Sequence, residues 1–306
     1  MATPNVAPNS SRLAILIPFG IVTLIWGSTW LVIRHQLGVV PPTWSVTYRF
    51  LIGGIAMLGY ALAKRETIVL DARGWAFAGV LGLCQFCLNF NFVYRAEGYV
   101  TSGLVAVVFA LLLLPNALFA RIFLGQKLGP QLIVGMGVAM AGVVLLFLRE
   151  ARVDPHGSAQ VLLGIGFTLL AILSASVANV MQGTTTARAY PMVPMIGVAM
   201  LIGAGIDGAI AWTLNGPPVF DPSPGYIAGL LYLGIFASAL AFPLYFGVLR
   251  VIGPAKAAYS SVLVPVIAMA LSTLFEGYVW SALAAGGAAL VMGGLVIALR
   301  ARRPAR

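Results

Sequence analysis

The chain has very little charge. Only 8% of its 306 residues are Asp, Glu, Lys or Arg, whereas 60% are hydrophobic and the mean hydropathy is +0.99. Because soluble domains carry about 25% charged residues, this composition excludes an ordinary soluble protein. Apolar runs recur that are long enough to cross roughly 30 Å of hydrocarbon as helices, and they lack the alternation of barrel strands. The sequence therefore predicts an all-α integral membrane protein.

Cysteine and histidine are scarce, with two of each. Cys84 and Cys87 form a C-x-x-C in one apolar run, where small apolar filling is a more typical role than redox or metal chemistry. A His-Glu-x-x-His motif is absent from the sequence, and Asp207 is the one acid that we place deep in a span. Intramembrane zinc and aspartyl proteases therefore lack their residues. We expect no enzymatic activity, no cofactor and no metal.

Acidic residues are few, with 8 Asp and Glu against 18 Lys and Arg. The basic residues are scattered between apolar runs and form no stripe with interleaved aromatics, so nucleic acid is not an expected partner. Scattered Lys and Arg of this kind are typical of topology signals. The expected partners are the lipid bilayer and a small-molecule substrate, and we expect the protein to function as a monomer.

Ten membrane-spanning helices fit the apolar runs, joined by loops too short for a soluble domain. The predicted spans are 13–33, 44–63, 74–94, 99–120, 130–148, 160–183, 193–214, 225–249, 255–275 and 279–299. Most Lys and Arg then fall on the side that holds both termini, so the positive-inside rule places the N- and C-termini in the cytoplasm. The expected location is the plasma (inner) membrane, as a multi-pass protein.

The two halves of the chain resemble each other at a constant offset of 152 residues. Gly82 matches Gly234, Gly125 matches Gly277, and the match runs without a gap over about sixty residues. We therefore predict a five-helix repeat in 1–150 and a second in 151–306. Five is an odd number, so the second copy would lie inverted in the membrane. Inverted repeats are typical of secondary transporters that hold substrate near the midplane.

Several short motifs resemble the EamA branch of the drug/metabolite transporter (DMT) superfamily. They are Ile-Trp-Gly-Ser-Thr-Trp at 25–30, Tyr-Arg-Phe at 48–50, Leu-Gly-Gln-Lys-Leu at 124–128 and Leu-Val-Pro-Val at 263–266. The helix 1 Trp and the Gly-Gln-Lys sequence most resemble YddG-type amino-acid exporters. Gln126 and Tyr278 stand where the family usually places Glu, so the chain resembles a divergent member of that family. The resemblance implies ten helices in two inverted repeats and a central cavity with alternating access.

Polar and aromatic side chains deep in the predicted spans are candidates for substrate binding, because polar groups at this depth usually face the bundle interior. These candidates are Trp26, Gln85, Asn89, Asn179, Tyr245, Tyr259 and Ser260. Interhelical packing is the alternative role for each of them. An uncharged cavity with aromatic faces suits export of aromatic or other neutral amino acids, or similar metabolites. The alternative is a DMT-type carrier of phosphorylated metabolites, nucleotide sugars or drugs, although phosphate favours Arg or Lys.

Two charges, Arg49 and Asp207, lie within predicted spans. A structural ion pair, snorkelling to the interface and proton coupling through Asp207 are all open explanations, and we favour facilitated or weakly coupled transport. Pro115 and Pro265 interrupt two spans that correspond in the repeat. Our hypothesis is that these kinks act as hinges during alternating access.

Overall fold

The computed structural model describes residues 8–66, 69–125, 129–153, 158–252 and 260–299, and the regular structure in these ranges is entirely helical. The all-α prediction is therefore confirmed. The main helices are α1 Pro8–Gln36, α2 Pro42–Ala63, α3 Ala72–Glu97, α4 Ser102–Leu124, α5 Pro130–Val153, α6 Ser158–Met181, α7 Met192–Asn215, α8 224–252, α9 Ser260–Phe275 and α10 Ala282–Leu299. A short helix, Thr185–Ala189, connects α6 to α7.

Seven of these helices are long and apolar enough to cross a membrane within the described ranges, namely α1 to α4 and α6 to α8. Helices α5, α9 and α10 contain shorter apolar stretches, Pro130–Leu146, Leu263–Phe275 and Ala282–Ala298. The bounds of the helices lie within a few residues of the predicted spans. Ten complete crossings remain a prediction.

Local sequence explains where many helices begin and end. Proline occupies the first turn of α2 and α8, where its missing N–H costs no hydrogen bond. Asp71 caps α3 by accepting the Gly74 N–H at 2.8 Å. Gly125 and Gly277, which match in the predicted repeat, end α4 and α9 at φ values of +66° and +68°. Glycine suits both positions because the left-handed region penalises a Cβ.

Three helices contain segments that are not α-helical. Helix α3 is a π-helix over Gly82–Leu88, and α8 is a π-helix over Tyr232–Leu240. Helix α4 tightens to a 3₁₀ turn at Ala110–Leu112. Pro115 accounts for that turn, because its ring would clash with the carbonyl of Leu111 in a regular α-helix. Segments of this kind change which way the following side chains face, and all three border the bundle interior.

Helices that correspond in the two halves pack against each other, α2 against α7 and α5 against α10. In the second pair the backbones touch. A Cβ on Gly142 would lie 2.5 Å from the carbonyl oxygen of Gly287, and a Cβ on Gly287 would lie 2.8 Å from that of Gly142. Small residues permit this approach, which is a common way for helices to associate in lipid.

Polar contacts tie the helices together at both ends of the bundle. At one end, here called the Arg34 end, the guanidinium of Arg34 lies 3.8 Å from the Glu276 carboxylate and donates to the carbonyl oxygen of Glu97. Glu276 also accepts the Ser102 hydroxyl at 2.5 Å. These contacts connect α1, α3 and α4 to the C-terminal end of α9.

At the opposite end, here called the Tyr190 end, the Tyr190 hydroxyl donates to the Asp71 carboxylate, and Arg73 donates to Thr186 at 2.5 Å. The hydrogen bond from Tyr190, with a smaller contribution from the Gly74 N–H, lowers the pKa of Asp71 below its ordinary value. The same bond raises the pKa of Tyr190. The connection before α3 is thereby held to the connection between α6 and α7.

Candidate functional site

A central cavity lies between helices α1, α2, α3, α4, α6, α8 and α9, with about 850 Å³ of empty space including its open part. Aromatic side chains form much of its wall: Trp26, Trp30, Phe90, Phe109, Phe242 and Tyr245. The polar side chains of the wall are Thr29, Arg49, Gln85, Asn89 and Asn179. Towards the Arg34 end the lining residues Ile33 and Val93 are fully buried. Trp26, Asn179 and Tyr245 remain partly exposed.

Trp26 lines the cavity, and its indole N–H already donates a hydrogen bond within the protein. A ligand would therefore meet the face of the ring rather than a free N–H group. The indole N–H donates to the carbonyl oxygen of Ala237, in the π-helical part of α8, at 3.2 Å. The Trp26 ring lies 4.8 Å from the Tyr245 ring and 5.5 Å from the Phe242 ring, measured between centroids. The three rings form a continuous aromatic surface, which suits an apolar group or the face of an ammonium.

Gln85 and Asn89 lie on the same side of α3 and both line the cavity, as their spacing predicted. The Asn89 amide donates to the Gln85 carbonyl oxygen at 3.4 Å. Its own Oδ1 has no hydrogen-bond partner in the described part of the chain, although the residue is buried. Asn179 lies across the cavity on α6. A buried amide oxygen without a donor is open to water or to a donor group of a ligand.

Arg49 also lines the cavity, and its side chain is 1% exposed. Its Nε donates to the Ser238 hydroxyl at 3.1 Å, and its guanidinium carbon lies 4.2 Å from the centre of the Phe90 ring. Tyr94 lies beside the guanidinium, but its hydroxyl forms no well-directed hydrogen bond. Arg49 therefore points into the bundle rather than snorkelling to the interface.

Asp207 is buried on α7, on another side of α3 from the cavity. Its Oδ1 accepts the Asn91 amide at 2.6 Å, and Arg95 donates to the same Asn91 side chain at 3.2 Å. Asp207 and Arg49 are therefore not partners of each other, and Asp207 is not among the residues that line the cavity. The arrangement around Asp207 is a hydrogen-bonded cluster between α3 and α7.

The remaining candidates are placed as follows. Pro265 lines the cavity. Pro115 follows the 3₁₀ turn of α4 and is not among the residues that line the cavity. Tyr259 lies outside the described residues. Ser260 begins α9, but the structure describes only its backbone. Gln126, one of the two departures from the family motif, also falls outside the described ranges.

One buried acid was missed by sequence reasoning. Glu97 is fully buried at the end of α3, and within the described ranges neither of its carboxylate oxygens has a hydrogen-bond partner. The predicted span ended at 94 and so assigned Glu97 to a loop. Gly98, the first residue after the helix, could have indicated the true end, since glycine commonly follows the last turn.

A bundle of apolar helices around a central cavity is the arrangement expected of a membrane carrier. The sequence profile of the EamA-like transporter family matches residues 14–148 and 162–300, nearly the whole chain. The protein belongs to this family. Family membership together with the seven apolar helices makes it a multi-pass transport protein of the plasma membrane rather than an enzyme.

The individual proteins that the chain resembles have low sequence identity to it, as the following values show. The chain is 26% identical over 270 residues to Protein PagO of Salmonella typhimurium, covering 87% of this chain and 86% of PagO. It is 29% identical over 257 residues to the uncharacterized inner membrane transporter YedA of Escherichia coli K12, covering 83% and 80%. A solved crystal structure matches with a TM-score of 0.69 at 24% identity, over 96% of this chain and 98% of that one, which shows the fold.

Proposed function

We propose that this protein is a secondary transporter that exports amino acids, aromatic or otherwise neutral, or similar small metabolites. The observation that carries the proposal is the central cavity, which combines aromatic rings with amide groups. Amide and hydroxyl groups can bind polar ends of a zwitterion, and the Trp26 surface can take an apolar side chain. YedA, a relative named as an inner membrane transporter, agrees with this location and role.

Alternating access is the mechanism that we propose, because the cavity differs between its two ends. At the Arg34 end the lining residues Ile33 and Val93 are buried and the Arg34–Glu276 ion pair lies nearby, whereas Trp26, Asn179 and Tyr245, nearer the other end, are partly exposed. We take this difference as support for a state in which the Arg34 end is closed. With both termini cytoplasmic, the Arg34 end would face outward and the cavity would be accessible from the cytoplasm. Export would then require the Arg34 end to open and the Tyr190 end to close.

The inverted repeat is part of the same proposal. It is supported by the pairing of α2 with α7 and of α5 with α10, which brings corresponding helices of the two halves together. The left-handed glycines Gly125 and Gly277 and the two π-helical segments also stand at corresponding positions. Two similar halves in opposite orientations can exchange conformations, which gives two states of nearly equal energy. Pro115 and Pro265 are the proposed hinges.

Counterflow in proteoliposomes tests the proposal. Purified protein is reconstituted with a high internal concentration of unlabelled amino acid, and entry of the labelled amino acid is followed. We expect a saturable transient accumulation for at least one neutral amino acid, absent from empty liposomes. A second measurement imposes a pH gradient, and facilitated transport predicts that the final accumulation ratio does not change.

The alternative substrates are phosphorylated metabolites, nucleotide sugars or drugs, and Arg49 is the observation that favours an anion among them. Failure of every neutral amino acid to exchange, together with saturable exchange of a phosphate ester, would replace the first proposal by this alternative. Exchange of neither class under conditions where the protein is folded would contradict both.

A further inference from the structure

Arg49 is a buried cation in the cavity wall, and no acidic side chain in the described ranges lies within ion-pair distance of it. In the described part of the chain the single ion pair within 4 Å joins Arg34 to Glu276. Arg49 donates a hydrogen bond to Ser238, and its Nη1 has no hydrogen-bond partner among the residues that the structure describes. Glu97 acts on it electrostatically, but only from beyond ion-pair distance.

This arrangement is costly unless something else binds there. A guanidinium does not lose its proton in proteins, so Arg49 stays charged. Burying an ion costs several kcal/mol unless good partners compensate it. The rings of Phe90 and Phe50, at 4.2 and 5.2 Å from the guanidinium carbon, compensate part of that cost. Arg49 is among the residues that line the cavity, so a ligand bound there would lie beside this side chain.

We propose that Arg49 binds the carboxylate of the transported molecule, so that the cavity recognises monocarboxylates with an aromatic or apolar body. This inference rests on the proposed transport function, whose substrate class it narrows. A guanidinium matches a carboxylate in shape and can bond it through two parallel N–H groups. The aromatic surface of Trp26, Phe242 and Tyr245 belongs to the same cavity and would hold the apolar body.

The charges of the cavity wall favour a ligand group with one negative charge over a group with two. Arg49 is the one cation among the described lining residues, and a phosphate dianion is better served by several cations. The same lining contains no acid, so an ammonium group on the ligand finds only amide oxygens and ring faces. The carboxylate is therefore the group that recognition requires, and the amine is dispensable.

Three ligands that share a phenyl ring separate these contributions. L-Phenylalanine carries both charged groups, 3-phenylpropionate carries only the carboxylate, and phenylalaninamide carries only the ammonium. Binding to purified wild-type protein is measured from the ligand-induced rise in melting temperature across a concentration series. We expect the two carboxylates to bind within about tenfold of each other, and phenylalaninamide at least about tenfold more weakly, since a hydrogen bond to a charged group is lost.

The Arg49→Gln variant keeps a polar side chain and removes the charge. We expect it to weaken both carboxylates by about tenfold or more and to leave phenylalaninamide unchanged. Lys64→Gln is the matched control, because it removes one positive charge from the exposed end of the same helix. We expect Lys64→Gln to bind like the wild type.

Several results would overturn the inference. They are tight binding of phenylalaninamide by the wild type, unchanged carboxylate binding by a folded Arg49→Gln variant, and much tighter binding of phenyl phosphate than of 3-phenylpropionate. The wild-type comparison needs no variant, so it decides even if Arg49→Gln does not fold. Carboxylate binding without counterflow would contradict the transport proposal alone, whereas phenylalanine counterflow that Arg49→Gln fully retains would contradict this inference alone.

Discussion

The contact between α5 and α10 and the wall of the central cavity are built in opposite ways. At the first, glycines from both halves bring two backbones into contact, with Gly142 against Gly287. At the second, bulky aromatic and polar side chains leave a space, and most of them differ between corresponding positions, with Phe90 and Phe242 as a matching pair. Gln85 and Asn89 correspond to Ala237 and Ala241. The fold therefore uses what the halves share, and the proposed site uses what distinguishes them.

Arg49 shows the same difference within a single position. Its counterpart in the second half is Leu201, which packs closely on Gly54 between α2 and α7. One copy of the position thus holds helices together, and the other carries the charge that borders the cavity. Substitutions in the two regions should accordingly separate loss of folding from loss of transport.

The largest effect is expected at the α5–α10 contact. Gly142→Leu would place a side chain where even a Cβ lies 2.5 Å from a backbone oxygen, so the helices would have to separate. Overpacking typically costs 1–3 kcal/mol, and a clash with backbone belongs at or above the upper limit. Gly137→Leu on the exposed side of the same helix is the control, since a Cβ there meets nothing within 4 Å. Yield of monodisperse protein is measured, and equal yields for the two variants would contradict the packing argument.

A smaller and different effect is expected in the cavity. Trp26→Ala removes the central ring of the aromatic surface, and each aromatic pair contributes about 0.5–1.5 kcal/mol. We expect counterflow to fall about tenfold or more, the melting temperature to fall through loss of the ring pairs with Phe242 and Tyr245, and the yield to fall less than in Gly142→Leu, with Trp26→Phe retaining most of the activity. Trp212→Ala, which removes an exposed ring at the end of α7, is the control. Loss of yield in Trp26→Ala matching that in Gly142→Leu would show that the two regions are not separable.

The positions of the helices and much of the cavity wall could be predicted from the sequence. The apolar runs placed each helix within a few residues, because the bilayer imposes a minimum length on any crossing helix. Seven substrate-binding candidates were predicted as a group from their depth, and five of them line the cavity: Trp26, Gln85, Asn89, Asn179 and Tyr245. The structure does not describe Tyr259 or the side chain of Ser260. Depth is visible in the sequence since it depends only on the distance from the ends of a span.

The environment of the charged residues could not be predicted in the same way. Arg49 and Asp207 lie at comparable depth, but the partner of each depends on how α2, α3 and α7 are rotated about their axes. The π-helical segment of α3 changes that rotation at Gly82–Leu88. A sequence pattern with a period of 3.6 residues does not predict such a segment. Glu97 was missed because the final turn of α3 reaches past the apolar run.

The Arg34 end allows a test of conformational change as well as of packing, since the proposed transport cycle requires this end to open. Glu276→Gln removes the ion pair with Arg34 and weakens the hydrogen bond with Ser102. Because the Arg34 side chain is 43% exposed, solvent screens the pair, and its contribution is at most about 1 kcal/mol. That energy corresponds to roughly a fivefold shift towards an open Arg34 end.

Labelling of a single cysteine measures this shift. Ile33, which is buried in the cavity wall towards the Arg34 end, is replaced by Cys in a protein whose Cys84 and Cys87 are replaced by Ala. We expect a membrane-impermeant maleimide to label it a few times faster in the Glu276→Gln background. Asp221→Asn, an acid change in the loop before α8, is expected to leave the rate unchanged. If Glu276→Gln does not alter the labelling rate, the contact between Arg34 and Glu276 does not help to close the Arg34 end.

The smallest effect is expected at the Tyr190 end, where Asp71 is exposed and contributes through a helix cap and the Tyr190 hydroxyl. Asp71→Ala should lower the melting temperature slightly at pH 7. Because the folded state lowers the pKa of Asp71, the stabilisation is present above the pKa of the unfolded chain, about 3.9, and is lost as the pH falls through the folded value. The difference between wild type and variant should therefore shrink below about pH 4.

A pair of control variants identifies the source of that difference. Asp71→Asn retains a good capping side chain and loses only the charge, so it should fall between the wild type and Asp71→Ala. Glu66→Ala removes an acid from the same connection without removing a cap, and should change nothing. A difference between wild type and Asp71→Ala that stays constant from pH 7 to pH 3 would mean that the uncharged contacts of this side chain, rather than its carboxylate, hold the Tyr190 end together.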